Sequence, residues 1–411
     1  MTVQPDSSDP EDDDSISPDG RLSRRSESNR REFLKGKSAV DALRDEAEFA
    51  VPIHGQPQLP GRVPTNQRNR QSAYFEQYSK NAMACEFELL FNLHQYPQSG
   101  AAAMAAFQLI DEIEDQMTVY RDHSEVSRLN QAAFGSAVVI ESHLFELLSL
   151  AKKIHDETAK AFDITSNPLT KIWGFDQRKG GLPVQDQIDE ALSRVGSELV
   201  ELDVETKSVR FQRNGVTINL GGIGKGHALD RVAKLFEDRS IGDYAIHGGQ
   251  SSVLARGSSV CHPDTKPLKS SEQESIGDPE LENSGWAIGI SHPTLPGVRL
   301  AEVNLHDQAL GTSGTGRQGF FYQGKRFGHI IDPRTGWPTS HFLSTTVISH
   351  SAAISDALAT AFFVMPMEAI VDYCDSHPSV SAILVKEGPK KKSPVELIVL
   401  NLADSDWQRL A

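Results

Sequence analysis

A carboxylate and a hydroxyl stand four residues apart in the stretch Ile354–Val364, where most residues after the carboxylate are small or apolar. That composition predicts a buried helix, on which Asp356 and Thr360 share one face, one turn apart. Two hard oxygen donors that converge from an apolar helix suit Mg²⁺. Taken alone, the pair favours a structural role instead, in which Asp356 supports the first helical turn and Thr360 bonds the carbonyl four residues earlier.

A glycine-rich turn is the second candidate, with the sequence GGIGKG at residues 221–226. We predict a strand before it over Val216–Leu220 and a helix after it over His227–Asp238. Glycines let the backbone approach an anion and a helix N-terminus offers free N–H groups, so this turn could cradle a phosphate, with Lys225 as a nearby cation. The turn matches neither a Walker A sequence nor G-x-G-x-x-G, so plain architecture and a solvated lysine stay open.

A histidine follows the hairpin that we predict about Gly324. His329 stands immediately before the apolar pair Ile330 and Ile331 and a proline- and glycine-containing turn. Because imidazole titrates near neutral pH, this side chain could act as an acid–base group or contact a phosphate. The alternative is a structural histidine with satisfied hydrogen bonds.

Strands and helices are both needed to position these candidates. Alternation and helical periodicity in the sequence predict the two kinds of element. The predicted strands are Glu86–Leu93, Val200–Val204, Val209–Asn214, Trp286–Ile290, Arg299–Val303, Leu343–Ser349, Ala382–Val385 and Val395–Leu400. The predicted helices are Ala101–Met117, Leu144–Thr158 and Gln185–Val195, with a shorter one capped by Ser124.

Composition excludes several classes of protein. The 411 residues carry a net charge of −15, which argues against a nucleic-acid binder because such proteins present a basic face. The three cysteines, Cys85, Cys261 and Cys374, have neither zinc-site spacing nor the pattern of a disulfide framework. No apolar run is long enough to cross a bilayer, so we predict no transmembrane segment.

The first 71 residues are predicted to be a disordered tail, because they are acidic and then rich in arginine, serine, proline and glutamine. Within them, Arg30-Arg31-Glu32-Phe33-Leu34-Lys35 resembles a twin-arginine export motif. The residues that follow are charged rather than apolar, so the motif is incomplete. The cytoplasm is therefore favoured over the periplasm, with the compartment left open. We expect one folded domain over 72–411, with a polar insertion at about 257–285.

Taken in order, the motifs resemble those of the ApbE family, the FAD:protein FMN transferases. The matching segments are MACEF (83–87), MTVY (117–120), SEVSRLN (124–130), FDIT (162–165), PL (168–169), WGF (173–175), NLGGIGKG (219–226), GG (248–249), TSG (312–314), HIIDPRTG (329–336) and DALAT (356–360). No one motif decides the matter, but the ordered set spans roughly residues 75 to 400 and is specific.

The resemblance implies an α+β fold related to the T-fold, with mixed sheets, packed helices and FAD lying across it. It also implies a Mg²⁺ ion held by Asp356, Thr360 and the carbonyl of Gly222, and a catalytic role for His329, to which we add a charge-neutralising role for Lys225. The implied FAD contacts are Met83, Tyr120, Ala161, Phe162, Asp163, Asn219, Lys225 and Ile331. In the implied reaction, a Thr or Ser hydroxyl of an acceptor flavoprotein attacks the FMN phosphorus and AMP leaves.

Some positions depart from the family pattern. Asn219 stands where the family usually has aspartate, Ala359 where some relatives have a second aspartate ligand, and Gly224 where alanine is common. The TGRQ run at 315–318 also differs. Two alternatives therefore stay open: a Mg²⁺-dependent FAD pyrophosphatase that yields FMN and AMP, and a flavin-binding protein without catalytic activity.

Overall fold

The computed structural model describes residues 75–259, 285–315, 319–390 and 393–411. The helices, in chain order, are α1 (Ser99–Met117), α2 (Glu125–Ala132), α3 (Ser142–Glu157), α4 (Asn167–Ile172), α5 (Gln185–Leu192), α6 (Gly224–Glu237), α7 (Ala352–Val364) and α8 (Met367–Ser376). A single 3₁₀ turn covers Ser197–Leu199. The strands are β1 (Phe75–Ala82), β2 (Cys85–Asn92), β3 (Val138–Val139), β4 (Val200–Asp203), β5 (Ser208–Phe211), β6 (Tyr244–Gly248), β7 (Ser252–Arg256), β8 (Trp286–Ser291), β9 (Arg299–Leu305), β10 (Ala309–Gly314), β11 (Gly319–Tyr322), β12 (Lys325–Gly328), β13 (Ser344–Ser349), β14 (Ser381–Lys390), β15 (Ser393–Leu400) and β16 (Trp407–Arg409).

An eight-stranded sheet organises these elements, in the order β1-β2-β6-β7-β10-β13-β14-β15. Each of its neighbouring pairs is antiparallel. Helices α6 and α7 pack on one face of it, and the small sheet β16-β9-β8 covers the other. Side chains alternate between two cores as the strand period of two requires: Leu254 and Val347 face the helices, whereas Val253, Ala255 and Ile348 face the small sheet.

The α+β class that we predicted is therefore confirmed, and most predicted elements are present within one to three residues. The strand predicted over Val216–Leu220 is wrong. In the described part of the chain, these residues run as an extended segment outside every sheet. The amide of Asn130 takes the place of a neighbouring strand there, since Oδ1 accepts from Ile218 N at 2.7 Å and Nδ2 donates to Ile218 O at 2.9 Å.

Two glycines let main chains approach α7 from both sides. A Cβ on Gly226 would lie 2.1 Å from the carbonyl oxygen of Ala352, and one on Gly311 would lie 2.4 Å from the carbonyl carbon of Ser355. Helix α6 and strand β10 therefore lie closer to α7 than they could if positions 226 and 311 carried any residue other than glycine. The start of α7 is also held by Asp230 of α6, whose carboxylate accepts from Ala352 N at 2.8 Å.

A smaller aromatic cluster lies around Trp173 and supports the segment that follows β12. The indole packs against Phe175 and Phe327, and its Nε1 donates to Gly336 O at 2.9 Å. Ile331 is also buried there and pairs with Pro338 in an isolated bridge. The cluster thus fixes the turn after His329 to helices α4 and α5.

Several sequence predictions lie outside the described residues. They are the tail at 1–71, most of the polar insertion at 257–285 and part of the TGRQ run. Among the described helices, none combines the length and the apolar composition that a bilayer crossing requires.

Candidate functional site

The carboxylate of Asp356 is buried where α7 meets the start of α6. Its Oδ2 accepts from Gly226 N at 2.8 Å, and Ser252 Oγ lies 2.7 Å from Oδ1 and 2.9 Å from Oδ2. The capping role suggested by sequence alone is wrong, because α7 begins at Ala352 with Ser351 as its N-cap. Asp356 lies in the second turn and binds neighbouring elements instead.

Burial raises the pKa of Asp356 above its ordinary value, although the positive charge of Lys225 and the bonds from Ser252 and Gly226 oppose the shift. A carboxylate whose charge is this poorly solvated gains stability from any further cation nearby. Its oxygens retain lone pairs beyond the three hydrogen bonds described. The site therefore fits a hard divalent cation.

Thr360 and Gly222 face each other beside this carboxylate. A Cβ on Gly222 would lie 3.7 Å from Thr360 Oγ1, so the glycine turn runs directly past the hydroxyl. Thr360 Oγ1 also donates to Asp356 O at 3.2 Å and lies 3.0 Å from Ser313 Oγ of β10. The glycine turn thus meets α7 at two points, with Gly222 beside the Thr360 hydroxyl and Gly226 N at the Asp356 carboxylate, while the helix-internal bond of the structural alternative is present too.

The glycine turn is shaped by Asn219, the position where the family usually has aspartate. Asn219 Oδ1 accepts from Gly221 N at 2.8 Å, and Asn219 N donates to Ile164 O at 2.8 Å. An amide oxygen can accept the first bond as a carboxylate oxygen would, so the turn needs no charge here. The second bond ties the turn to the segment 161–164, whose Phe162 ring would lie 3.2 Å from a Cβ on Gly222.

Asp163 points away from the glycine turn into a buried network. Its oxygens accept from Thr165 N at 2.7 Å and from Ser197 N at 3.0 Å, and Oδ2 lies 3.2 Å from His155 Nδ1. Burial would raise the pKa of Asp163, but the bonds from His155 and Thr165 outweigh it and lower that pKa. The carboxylate of Asp163 is therefore already engaged. A contact between this segment and FAD would come from the main chain of Asp163 or from Ala161 and Phe162.

His155, Asp163 and Glu198 form a cluster in which one ligand atom from each lies within 4.8 Å of the others. Lys160 Nζ already lies 2.7 Å from Glu198 Oε1, and the Asp163 oxygens are engaged by Thr165 and Ser197. The ammonium of Lys160 and the hydrogen-bond donors of Thr165 and Ser197 therefore compensate the carboxylates of Glu198 and Asp163 without a metal ion. We interpret the cluster as an ion-pair network.

Met83 and Tyr120 lie on two loops, one between β1 and β2 and one after α1. Met83 is in the turn between β1 and β2, and the thiol of the next strand residue, Cys85, is influenced by the charges of Lys225 and Asp356. Burial raises the pKa of that thiol. Tyr120 follows α1 and is 81% exposed, so its ring offers a flat surface to solvent.

His329 and Ile331 belong to the segment after β12. His329 is half-buried directly after that strand, and Ile331 is 8% exposed within the aromatic cluster. Thr339, at the end of the same segment, donates to Phe363 O of α7 at 3.4 Å. This bond ties the segment to the helix that carries Asp356, and the packing around Trp173 ties it to α4 and α5.

Ser252 and Ser313 are site residues that sequence reasoning missed. Each reaches the candidate ligands from a strand far away in sequence, Ser252 from β7 and Ser313 from β10. The sequence does contain a signal, because Ser313 lies within the TSG motif and Ser252 lies three residues after the GG pair that also matches the family. Only the fold shows which way their hydroxyls point.

The model of the ApbE family matches residues 83–384, well over half of the chain. This chain is a member of the ApbE family. The FAD:protein FMN transferase of Haemophilus influenzae is 26% identical over 286 residues, which is 68% of this chain and 76% of the relative. The FAD:protein FMN transferase of Klebsiella pneumoniae is 29% identical over 293 residues, or 71% of this chain and 83% of the relative.

Solved structures of ApbE proteins share the fold. The flavin transferase ApbE from Vibrio cholerae aligns with a TM-score of 0.64 and 22% identity, covering 80% of this chain and 97% of that one. The ApbE protein from Thermotoga maritima aligns with a TM-score of 0.65 and 24% identity, covering 79% of this chain and 96% of that one.

Proposed function

We propose that this ApbE-family chain is a Mg²⁺-dependent FAD:protein FMN transferase. It moves FMN from FAD to a Thr or Ser hydroxyl of an acceptor protein and releases AMP. The observation that carries the proposal is the contact between the glycine turn and α7, in which Gly222 lies beside the Thr360 hydroxyl and the amide after Lys225 binds the Asp356 carboxylate. The names of the similar proteins add independent support for this reaction class.

The donor set suits Mg²⁺ because it offers a carboxylate, a hydroxyl and main-chain oxygen, all hard ligands. Asp356 supplies the negative charge, and its burial leaves that charge in need of a counter-ion. When bound, Mg²⁺ supplies positive charge that offsets the pyrophosphate oxygens and the charge developing on the leaving AMP.

The chain's own residues orient the substrate. The N-terminus of α6 adjoins the glycine turn, and its dipole favours the negative charge of the pyrophosphate there, while Gly224 N and Gly226 N already donate to Leu220 O and to Asp356. Lys225, the second residue of α6, places a half-buried ammonium at the same end. Phe162, packed against the turn, excludes water from one side.

Transfer requires a base for the acceptor hydroxyl. We assign this role to His329, because imidazole is the side chain that most often serves as a general base. The hydroxyl oxygen forms a bond to the FMN phosphorus while the bond from that phosphorus to the AMP oxygen breaks. The proton moves to the imidazole, and AMP leaves with the electron pair.

The test is to incubate the purified protein with FAD, Mg²⁺ and an acceptor polypeptide carrying a flavinylation segment, and then to look for flavin fluorescence on the denatured acceptor. We expect a fluorescent acceptor band that disappears when EDTA is added. Mg²⁺-dependent AMP without a band would contradict the transferase and support the pyrophosphatase. Bound FAD without band or AMP would contradict both enzymes.

Asp356→Ala separates the metal assignment from the fold. We expect this variant to remain folded and to lose Mg²⁺-dependent transfer. Asp372→Ala is the matched control, because it removes an exposed helical carboxylate on α8. Full activity in Asp356→Ala would refute the assignment of the ligand.

A further inference from the structure

The turn between β1 and β2 has an unusual backbone beside the candidate site. Ala82 pairs with Cys85, so the turn contains only two residues, Met83 and Ala84. Both have left-handed φ angles, +48° and +58°. Two-residue hairpin turns of this kind normally use glycine or asparagine, so the side chains at these positions strain the backbone.

One carboxylate holds this turn in place. Glu114, in the last turn of α1, accepts a hydrogen bond from Met83 N at 2.7 Å. Arg121 lies 3.8 Å from the other Glu114 oxygen and pairs more closely with the adjacent Asp115. A bond from an amide to a charged carboxylate is among the stronger hydrogen bonds in proteins, which suits a clamp on a strained turn.

The clamped turn adjoins the elements that hold Asp356. A Cβ on Gly249 would lie 2.7 Å from Cys85 Cβ, so the β1–β2 turn touches the β6–β7 turn. Gly249 N also donates to Glu86 O at 2.9 Å. Ser252, three residues after Gly249, is the residue that binds the Asp356 carboxylate. A shift of Met83 and Ala84 would therefore be transmitted to Ser252 and to the Asp356 carboxylate that it contacts.

We propose that Glu114 is a positioning residue for FAD: it holds the Met83–Ala84 turn in the conformation that receives the flavin nucleotide. This inference rests on the proposed function, because it deepens the role of the same site. Glu114 acts through the amide of Met83, so it affects binding of FAD rather than the bond-breaking step.

The experiment compares Glu114→Met, which keeps the side-chain length but has no oxygen acceptor, with Glu114→Gln, whose amide oxygen can accept the same bond. Asp115→Asn is the matched control, since it weakens the same pairing with Arg121 and leaves the Met83 bond intact. Glu114→Ala repeats the loss with a smaller side chain. Thermal unfolding checks that each variant is folded at the assay temperature.

We measure KM for FAD and kcat of transfer, the Kd of FAD from flavin fluorescence, and hydrogen exchange of the Met83 amide. In Glu114→Met we expect KM and Kd to rise about five- to tenfold, as loss of one such hydrogen bond implies, with kcat within about twofold of wild type. The Met83 amide should exchange faster. Glu114→Gln keeps the bond but loses the charge, so its KM, Kd and exchange rate should lie between those of wild type and Glu114→Met, whereas those of Asp115→Asn should stay within about twofold of wild type.

The outcomes separate this inference from the proposed function. An active wild type with unchanged KM and Kd in Glu114→Met and Glu114→Ala would overturn the role of Glu114 alone. A fall in kcat at constant KM would overturn it too, because positioning of FAD acts on binding. A wild-type protein that neither binds nor cleaves FAD would overturn the proposed function, and this role with it.

Discussion

Replacement of His155 by glutamine should destabilise the protein in a pH-dependent way. His155 is 1% exposed, and its Nδ1 lies 3.0 Å from Phe162 O and 3.2 Å from Asp163 Oδ2. Burial alone would lower the pKa of this imidazole. The hydrogen bond to Asp163, the charge of Asp163 and the charge of Glu198 outweigh burial and raise the pKa instead.

The direction of the pH dependence follows from that shift. Because the folded pKa is above the unfolded value, the charged imidazole contributes stability that is fully present below about pH 6.5. This contribution disappears as the pH rises through the folded pKa. A hydrogen bond between charged groups contributes about 1.5–3 kcal/mol, whereas a neutral one contributes about 0.5–1.5 kcal/mol. The free energy of unfolding should therefore differ by about 2 kcal/mol between wild type and His155→Gln at low pH, and by less than about 1 kcal/mol at high pH.

Urea unfolding followed by tryptophan fluorescence at about pH 5.5 and about pH 9 measures both differences. Asp163→Asn provides the opposite case, since the pKa of Asp163 is lowered in the fold. The Asp163 carboxylate contributes stability above its unfolded pKa, and this contribution is lost as the pH falls through its folded pKa. The free energy of unfolding of Asp163→Asn should therefore approach that of wild type only in acid. A difference for His155→Gln that is constant or larger at high pH would refute our account, because it would mean that the buried imidazole is neutral.

Two further substitutions test the surroundings of Asp356. Ser252→Ala removes the hydroxyl that lies against both carboxylate oxygens, so unfolding of the metal-free protein should become easier by about 1.5–3 kcal/mol in thermal or urea denaturation. An unchanged stability would mean that this hydroxyl bonds water equally well. Gly226→Ala places a Cβ against the main chain of Ala352, so we expect a loss of about 1–3 kcal/mol and weaker Mg²⁺ binding by calorimetry. Gly242→Ala is the control, because a Cβ there would meet nothing within 4 Å; equal losses in both variants would contradict the steric argument.

Much of the candidate site could be predicted from the sequence because its parts are local. Helix α7 consists mostly of small and apolar residues, and the spacing of Asp356 and Thr360 fixes their common face. The glycine turn before α6 was located in the same way. The prediction of a strand before that turn is wrong, because the main chain of Ile218 forms its hydrogen bonds with the side-chain amide of Asn130 on α2. No periodicity in a strand can show that its hydrogen-bond partner is a distant asparagine.

The polar contacts of Asp356 were also beyond prediction. Ser252 and Asp356 are separated by 104 residues, and their meeting depends on the order of β7 and β10 in the sheet. The network of Asp163 shows the same limit: sequence similarity implied an FAD contact, while the fold directs the carboxylate to His155. Residue types and their spacing indicate which chemistry is possible. The topology of the fold determines which of the atoms involved lie close together.

The close approach of main chains at Gly226 and Gly311 has a consequence for binding. Main-chain atoms form these contacts, and neither glycine has a side chain. A change of side-chain rotamer at these two points therefore cannot alter the distance of α7 from α6 or β10. The carboxylate of Asp356 and the amide of Gly226 therefore keep their separation before any nucleotide arrives. Such preorganisation lowers the conformational entropy that must be lost on association.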